Sequence, residues 1–194
     1  MFLEPRLKHN DRKKGWIEVI CGSMFSGKTE ELIRRINRAR IANLKVEIYK
    51  PAIDTRYHDT EVVSHNSNSM GSVPVPSSLN ILLMSQDADV VGIDEAQFFD
   101  PEIAYVCETL AQRGVRVIVA GLDMDYLGKP FGPMPGLMAI AEYLTKVNAI
   151  CMVCGDLATH SFRKTHDNNN QVMLGEQDTY EARCRSCFNE GMNR

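Results

Sequence analysis

The stretch from residue 16 to residue 41 reads WIEVICGSMFSGKTEELIRRINRARI, and it indicates the architecture of the chain. WIEVIC is a short apolar run rich in β-branched residues, which predicts a buried strand. From residue 28 to residue 42, apolar side chains recur at near-helical spacing among Arg and Glu, which predicts an amphipathic helix. The segment between them, residues 22–29, fits G-x-x-x-x-G-K-[ST], the pattern of a phosphate-binding loop (P-loop) that joins a strand to a helix.

The chemistry of the P-loop follows from its residue types. Glycine lets the backbone wrap closely around a phosphate, and the exposed N–H groups and the positive end of the helix point at the anion. We expect Lys28 to reach the β- and γ-phosphates of a nucleotide and the Thr29 hydroxyl to coordinate Mg²⁺. The predicted phosphate-binding residues are Gly22, Ser23, Met24, Phe25, Ser26, Gly27, Lys28 and Thr29.

Further strands and helices alternate downstream of the P-loop. Apolar runs predict strands at residues 45–49, 90–94 and 116–122. A helix is predicted between the last two strands, with Pro101 in its first turn and Gly114 at its end, and another at 134–146. This alternation predicts an α/β fold, a P-loop NTPase-like and mostly parallel sheet with helices on both faces. The Ser-, Asn- and Pro-rich residues 64–78 are expected to form a flexible surface loop.

A pair of carboxylates ends one of the predicted strands. VVGID finishes at Asp94, and Glu95 follows it. Ligands of open α/β sheets bind at the carboxyl ends of the strands, so Asp94 is expected to hold the Mg²⁺ shell. Glu95 would then lie near the γ-phosphate as a general base, acting on water in an ATPase or on an alcohol in a kinase. The acidic pair alone does not decide between these two activities.

Two C-x-x-C pairs with 29 residues between them predict a metal site near the C-terminus. Their cysteines are Cys151, Cys154, Cys184 and Cys187. Four thiolates at such spacing can close a tetrahedral site around one structural Zn²⁺, and the polar segment 151–194 has too little apolar surface to hold itself folded. Reduced, metal-free cysteines are the alternative. Cys21 and Cys107 fall in apolar strand and helix patterns and are expected in the core.

Composition bounds the size and the partners of the protein. The chain has 194 residues, 44% of them hydrophobic, which suffices for one domain with a small appendage. A formal net charge of −3 argues against a nucleic-acid binder, and no apolar run is long enough for a membrane helix. The N-terminal segment has no apolar core like that of a secretory signal, so we expect a cytoplasmic protein whose cysteines are not paired as disulfides.

The composition divides the chain into three parts. Residues 1–14 are expected to be a flexible tail, residues 15–150 the P-loop domain, and residues 151–194 a zinc-binding subdomain. The subdomain carries no long helical pattern. Its predicted strands are short and lie at 159–164, 171–174 and 179–184.

Together these motifs resemble the thymidine kinase family in its zinc-containing form. The resemblance covers nearly the whole chain after the tail, through GSMFSGKTEELIRR, KPAIDTRY, IDEAQFF, AGLDMDYLGKPFGPMP and CMVC…CRSC in that order. It implies transfer of the γ-phosphoryl group of ATP, bound with Mg²⁺, to the 5′-hydroxyl of thymidine and of deoxyuridine, in nucleoside salvage for DNA synthesis. It also implies a homotetramer that thymidine triphosphate inhibits by occupying the acceptor site.

The resemblance further assigns residues to the site. It implies that Glu95 is the catalytic base, that the segment from Asp94 to Gln97 contacts nucleotide and Mg²⁺, and that Asp54 and Arg56 serve the phosphate-donor side. Between the cysteine pairs, a loop called the lasso is expected to close over the nucleoside base, because its backbone groups can match the polar edge of a pyrimidine in a dry pocket. The acceptor-binding residues implied are Phe98, Tyr126, Phe131, Gln171, Val172, Met173, Leu174, Gly175 and Tyr180. Core packing remains an alternative for each aromatic side chain.

Two other interpretations stay open at the level of sequence. One is an ATPase, or a different P-loop kinase, that carries a structural zinc ribbon. The other is a zinc-ribbon protein that binds nucleic acid under the control of a nucleotide. The second is disfavoured because the segment from Cys151 onward has similar numbers of basic and acidic residues and lacks the excess positive charge that phosphate backbones require.

Overall fold

The computed structural model describes residues 14–53, 61–63, 69–164 and 179–193. Its strands are β1 (Trp16–Gly22), β2 (Val46–Pro51), β3 (Glu61–Val63), β4 (Ser69–Gly71), β5 (Val73–Val75), β6 (Val90–Ile93), β7 (Arg116–Leu122), β8 (Tyr143–Lys146), β9 (Ala149–Ile150), β10 (Leu157–Ala158), β11 (His160–Arg163) and β12 (Tyr180–Arg183). Its helices are α1 (Lys28–Ile41), α2 (Leu79–Met84), α3 (Ile103–Gln112), α4 (Met134–Ile140) and α5 (Arg185–Met192), with a 3₁₀ turn at Ala96–Phe98.

A six-stranded sheet forms the centre of the molecule, in the order β5-β2-β6-β7-β1-β8. Every neighbouring pair in it is parallel. The carboxyl ends of β1, β6 and β7 therefore meet at one edge of the sheet, which is where open α/β sheets bind their ligands. The predicted α/β fold with a mostly parallel sheet is confirmed.

Both faces of this sheet are covered by apolar side chains. Along β7, Val117 and Val119 belong to one buried cluster, whereas Ile118 and Ala120 belong to another. This alternation follows from the strand itself, because successive side chains point to opposite faces. The first cluster includes Leu110 of α3 and two residues of α4, Met134 and Leu137. In the second cluster, the helical side chains come from α1. Helices thus shield the sheet on both sides, as predicted.

A buried ion network ties α1 to the sheet. The Glu18 carboxylate, fully buried in β1, accepts hydrogen bonds from Arg35 Nη1 at 2.9 Å and Arg116 Nε at 2.7 Å. Trp16 Nε1 donates to the same carboxylate at 2.7 Å, and Arg35 reaches on to Thr145 Oγ1 at 2.9 Å. Buried charges are tolerated only when paired and hydrogen-bonded, and this network satisfies that condition while linking α1, β1, β7 and β8.

The C-terminal part of the chain forms a small unit that we call the ribbon, consisting of β9, β10, β11, β12 and α5. β9 pairs with β10 and β11 pairs with β12, both antiparallel. The strands predicted at 159–164 and 179–184 are confirmed as β11 and β12, whereas the one predicted at 171–174 lies outside the described residues. None of the helices in the described ranges is long and apolar enough to cross a membrane.

The helix predicted at 134–146 is wrong in its second half. α4 ends at Ile140, because Ala141 adopts an extended conformation with ψ 132°. Residues 143–146 form the edge strand β8, and the preceding Glu142 carboxylate accepts the Ile17 backbone N–H at 2.7 Å. The helix ends here because residues 143–146 can pair in parallel with the edge of β1 and satisfy its backbone hydrogen-bonding groups.

A further prediction from local pattern, the loop at residues 64–78, is wrong in part. Within the segment 64–78, which was expected to be a flexible loop, Val73–Val75 forms the other edge strand of the central sheet. Its Pro74 is compatible with that position because an edge strand can leave a backbone nitrogen unpaired. The segment 151–194, which carries no long helical pattern, contains the short helix α5 of eight residues. Cys184 is its N-cap, and the Cys184 sulfur accepts the Cys187 backbone N–H.

Candidate active site and metal centre

The P-loop connects the end of β1 to the start of α1, as its sequence predicts. Gly22 has φ 149°, and a Cβ atom there would lie 2.1 Å from the Val147 carbonyl oxygen, so only glycine fits. Inside the loop the Ser23 carbonyl accepts hydrogen bonds from Ser26 Oγ and Lys28 Nζ, both at 2.7 Å. The loop therefore curls around its own backbone and brings the Lys28 ammonium group to the amino end of α1, where unpaired N–H groups favour an anion.

The strand-end carboxylates face the P-loop helix. Thr29 Oγ1 lies 3.3 Å from Asp94 Oδ2, and the other oxygen of this buried carboxylate accepts the Glu95 backbone N–H at 2.9 Å. A hydroxyl and a carboxylate at this separation are hard oxygen ligands of the kind that Mg²⁺ takes beside nucleotide phosphates. The structure thus brings together the two residues predicted to serve Mg²⁺.

Glu95 is held in a defined orientation by Gln97. The Glu95 backbone is left-handed, with φ 51°, which is uncommon for a residue other than glycine and typical of functional positions. Gln97 Oε1 accepts the Leu122 backbone N–H at 2.9 Å, so its amide NH₂ group must face Glu95, to which it donates. Gly132 closes against the same residue, since a Cβ there would lie 2.3 Å from the Gln97 carbonyl oxygen.

The predicted acceptor-binding aromatics fall into two pairs. Phe98 and Phe131 meet edge to face, with ring centroids 5.6 Å apart. Tyr126 and Tyr180 are joined by Arg163, whose guanidinium lies 3.7 Å from the centroid of the Tyr126 ring and donates to the Tyr180 hydroxyl at 2.9 Å. Both pairs offer apolar ring faces, and the second pair also holds the fixed positive charge of Arg163. This combination suits a planar ligand with polar edges.

Part of the predicted site lies outside the described residues. This applies to the two donor-side residues and to the lasso positions, namely Asp54, Arg56, Gln171, Val172, Met173, Leu174 and Gly175. Their predicted roles stay predictions.

The two C-x-x-C pairs converge on one point of the ribbon. Ligand sulfurs of all four predicted residues lie within 4.8 Å of one another, and Cys154 Sγ is 3.7 Å from Cys184 Sγ. Four thiolates in a tetrahedron around Zn²⁺, each at about 2.3 Å, would be about 3.8 Å apart, so the donor set fits a structural zinc. Burial opposes ionisation of Cys151, but backbone N–H groups, including that of Cys184, lower its pKa to about 6, whereas the hydrogen bond with Cys184 raises the pKa of Cys187 to about 12, so without metal the negative charge of the cluster rests on Cys151 first.

The other two cysteines behave as core residues, as predicted. Cys21 and Cys107 are fully buried. Burial raises the pKa of the Cys21 thiol to about 11, with a contribution from the negative charge of Asp123, and burial raises that of Cys107 to about 12. Neither thiol is a candidate nucleophile, because the thiolate is the reactive form.

A family model described as thymidine kinase matches residues 15–188. The chain belongs to the thymidine kinase family. The thymidine kinase of Rhodothermus sp. (strain ITI 518) is 58% identical over 97% of this chain and 88% of its own length. That of Bacteroides fragilis (strain YCH46) is 58% identical over 99% of this chain and 96% of its own length.

Membership of the thymidine kinase family confirms the enzyme class, a kinase, that the combined motifs predict. Among solved structures, the genome packaging NTPase B204 from Sulfolobus turreted icosahedral virus 2 in complex with ATP-gammaS matches 68% of this chain and 74% of its own, at 15% identity and a TM-score of 0.44. That likeness is too distant to add to the assignment.

Three buried polar residues of this thymidine kinase family member were not predicted from sequence. Lys50 is the penultimate residue of β2, and the Asp94 backbone N–H donates to the carbonyl of its neighbour Tyr49 at 3.0 Å. Ser161 and Arg163, on β11, reach the P-loop and the tyrosine pair respectively. A lysine at the end of an apolar run is a usable signal, because strand ends in open α/β sheets carry ligands. Ser161 offers no such signal, since its partner is 137 positions away.

Proposed function

We propose that the protein transfers the γ-phosphoryl group of ATP to the 5′-hydroxyl of thymidine, and also of deoxyuridine, yielding thymidine monophosphate in the first case for DNA synthesis. The observation that carries this proposal is the contact between the P-loop helix and the strand-end carboxylates, in which Thr29 Oγ1 lies 3.3 Å from Asp94 Oδ2 with Glu95 next in the chain. In a member of the thymidine kinase family, these are the groups that phosphoryl transfer needs.

On the donor side, the chain supplies positive charge and backbone N–H groups. The amides at the start of α1 and the Lys28 ammonium would bind the phosphates of ATP and hold the γ-phosphoryl group in line with the acceptor. Thr29 and Asp94 would hold Mg²⁺, which neutralises negative charge on the phosphates when bound with ATP. Asp54 and Arg56 complete this side in the proposal, on the strength of the family resemblance.

On the acceptor side, Glu95 would remove the proton of the 5′-hydroxyl. A primary alcohol is a poor nucleophile until it loses this proton, and a carboxylate next to the P-loop can accept it as attack on the γ-phosphorus proceeds. Gln97 donates to one oxygen of Glu95 and so orients this carboxylate beside the P-loop, where it can receive the proton. The base of the nucleoside would bind between the aromatic pairs, Phe98 with Phe131 and Tyr126 with Tyr180, under the lasso residues 171–175.

Assembly, location and regulation follow the same resemblance. The proposal includes a cytoplasmic homotetramer, one structural zinc per chain, and inhibition by thymidine triphosphate at the acceptor site. Light scattering would give the mass of the assembly, and elemental analysis the zinc content. Inhibition that is competitive with thymidine and remains at saturating ATP would support the acceptor site as the site of inhibition.

The decisive experiment measures ADP formation with each common deoxynucleoside and with none. We expect turnover with thymidine and deoxyuridine, and slow hydrolysis without a nucleoside because water in the site is not aligned for attack. Rapid ATP hydrolysis that no nucleoside stimulates would instead identify an ATPase. Retention on a nucleic-acid column at physiological salt would favour the nucleic-acid interpretation.

A further inference from the structure

The ribbon lies directly against the P-loop. The Met24 backbone N–H donates to Ser161 Oγ at 3.0 Å, and Ser23 Oγ lies 3.5 Å from the Ala158 carbonyl oxygen. The side chain of Phe25 packs on the small apolar cluster of the ribbon, which consists of Ala149, Cys151, Ala158 and Ala182 with Cys184 and Cys187 at its margin. Three successive P-loop residues therefore contact the unit that carries the metal site.

The P-loop needs this external support for its shape. Phe25 has φ 62°, a left-handed conformation that is unfavourable for a bulky residue and persists only where the surroundings enforce it. The ribbon cluster, against which Phe25 packs, is part of these surroundings. Ser161 is itself buried, with 4% of its surface exposed, and its hydrogen bond to the part-buried Met24 amide anchors this part of the P-loop to the ribbon.

The metal site and this contact surface are the same piece of structure. Cys151 is both a ligand of the predicted zinc and a buried member of the cluster against which Phe25 packs. In small zinc ribbons the free energy of metal binding is largely the free energy of folding. Loss of the metal would therefore remove both the packing surface of Phe25 and the hydrogen-bond acceptor of Met24.

We propose that the ribbon sets the conformation of the P-loop, with Ser161 as the positioning residue, so that the affinity for ATP depends on the metal site. The zinc centre then supports the phosphate-donor side of the enzyme. This inference rests on the proposed function only in taking ATP as the ligand of the P-loop.

The first test compares Ser161→Ala with Ser161→Thr in the zinc-loaded protein. Ser161→Ala removes the side-chain acceptor of the part-buried Met24 N–H, and we expect ATP to bind about tenfold more weakly by calorimetry. Ser161→Thr keeps the hydroxyl and should restore most of the affinity. Ser186→Ala is the matched control, because Ser186 is an exposed ribbon serine whose hydroxyl donates to Glu190 within α5.

Kinetics separate this positioning role from a contact with the nucleoside. The KM for ATP should rise in Ser161→Ala, with the KM for thymidine close to the parental value. Parental ATP affinity in Ser161→Ala, or a rise confined to the KM for thymidine, would overturn the proposal. Absence of any thymidine-dependent turnover in the parental protein would contradict the proposed function instead, and would leave the binding measurements interpretable.

The second test needs no variant, and it decides the matter if Ser161→Ala does not fold. Deuterium uptake is followed by mass spectrometry in peptides that cover the P-loop, before and after a zinc-selective chelator. We expect uptake in the P-loop to rise together with uptake in the ribbon, while peptides from α3 stay protected. Increased uptake confined to the ribbon would show that the P-loop holds its shape alone, against the proposal.

Discussion

Replacing Glu95 by glutamine tests the assignment of the catalytic base with little structural disturbance. The Gln97 side chain is fixed by the Leu122 N–H at 2.9 Å, and its NH₂ group donates to Glu95. A glutamine at position 95 can offer its own amide oxygen to that NH₂ group, so the orientation should persist while the negative charge and the basicity are lost. Loss of a general base costs about a hundred- to ten-thousandfold in rate, which corresponds to about 3 to 5 kcal/mol in the barrier.

The assay should isolate the chemical step. Single-turnover formation of thymidine monophosphate, with enzyme in excess, avoids limitation by product release, and steady-state runs give kcat and both KM values. We expect the single-turnover rate and kcat to collapse and both KM values to change little, the signature of an interaction made mainly in the transition state. Glu108→Gln, which alters an exposed carboxylate on α3, should behave as the parent. A near-parental rate in Glu95→Gln would refute the assignment and require another group as the base.

Three further predictions concern ionisable groups. Lys28→Ala should keep the parental circular dichroism spectrum but lose about a hundredfold or more in kcat, because a charge on the transferring phosphoryl group is removed; parental turnover at saturating ATP would contradict this. At pH 8 the zinc-loaded protein should show almost no rapidly reacting thiols, four after a zinc-selective chelator, and six in denaturant, since burial raises the pKa of Cys21 and Cys107 to about 11 and 12. Burial, together with the positive charge of Arg185, lowers the pKa of His160 in the folded protein. The unfolded chain therefore takes up a proton at a higher pH than the folded protein does, and the free energy of unfolding should fall as the pH drops below about 6.5. Urea unfolding at pH 7 and pH 5.5 would measure that loss, and His160→Gln should reduce it.

The parts of the fold that could be predicted from the sequence are those specified by residues close together in the chain. The P-loop, β1 and α1 are specified within one short stretch, so their pattern predicts their structure. The edge strand β8 is different, because residues 143–146 continue an apolar pattern that also suits a helix. Only the free edge of β1, more than 100 positions away in the chain, makes them a strand.

The residues of the candidate site also differ in how far the sequence predicts them. Asp94 and Thr29 were predictable because each belongs to a motif whose place at the sheet edge is known from the fold. The role of Gln97 as a fixed donor to Glu95 depends on the Leu122 N–H, and the contact of Ser161 with the P-loop depends on how the ribbon folds back. Such contacts join distant segments and leave no periodicity in the sequence.

The buried network of Glu18, Arg35 and Arg116 has a consequence for how this sequence can diverge. Removing one member leaves an uncompensated buried charge, at a cost of about 3 to 5 kcal/mol, whereas exchanging the whole set for apolar residues of similar volume can be neutral or even stabilising. The three positions are therefore epistatic: each single substitution destabilises the protein, even where the complete apolar replacement would be stable. The three residues should therefore be retained together or replaced together. A lineage that replaced them would need substitutions in α1, β1 and β7 in close succession.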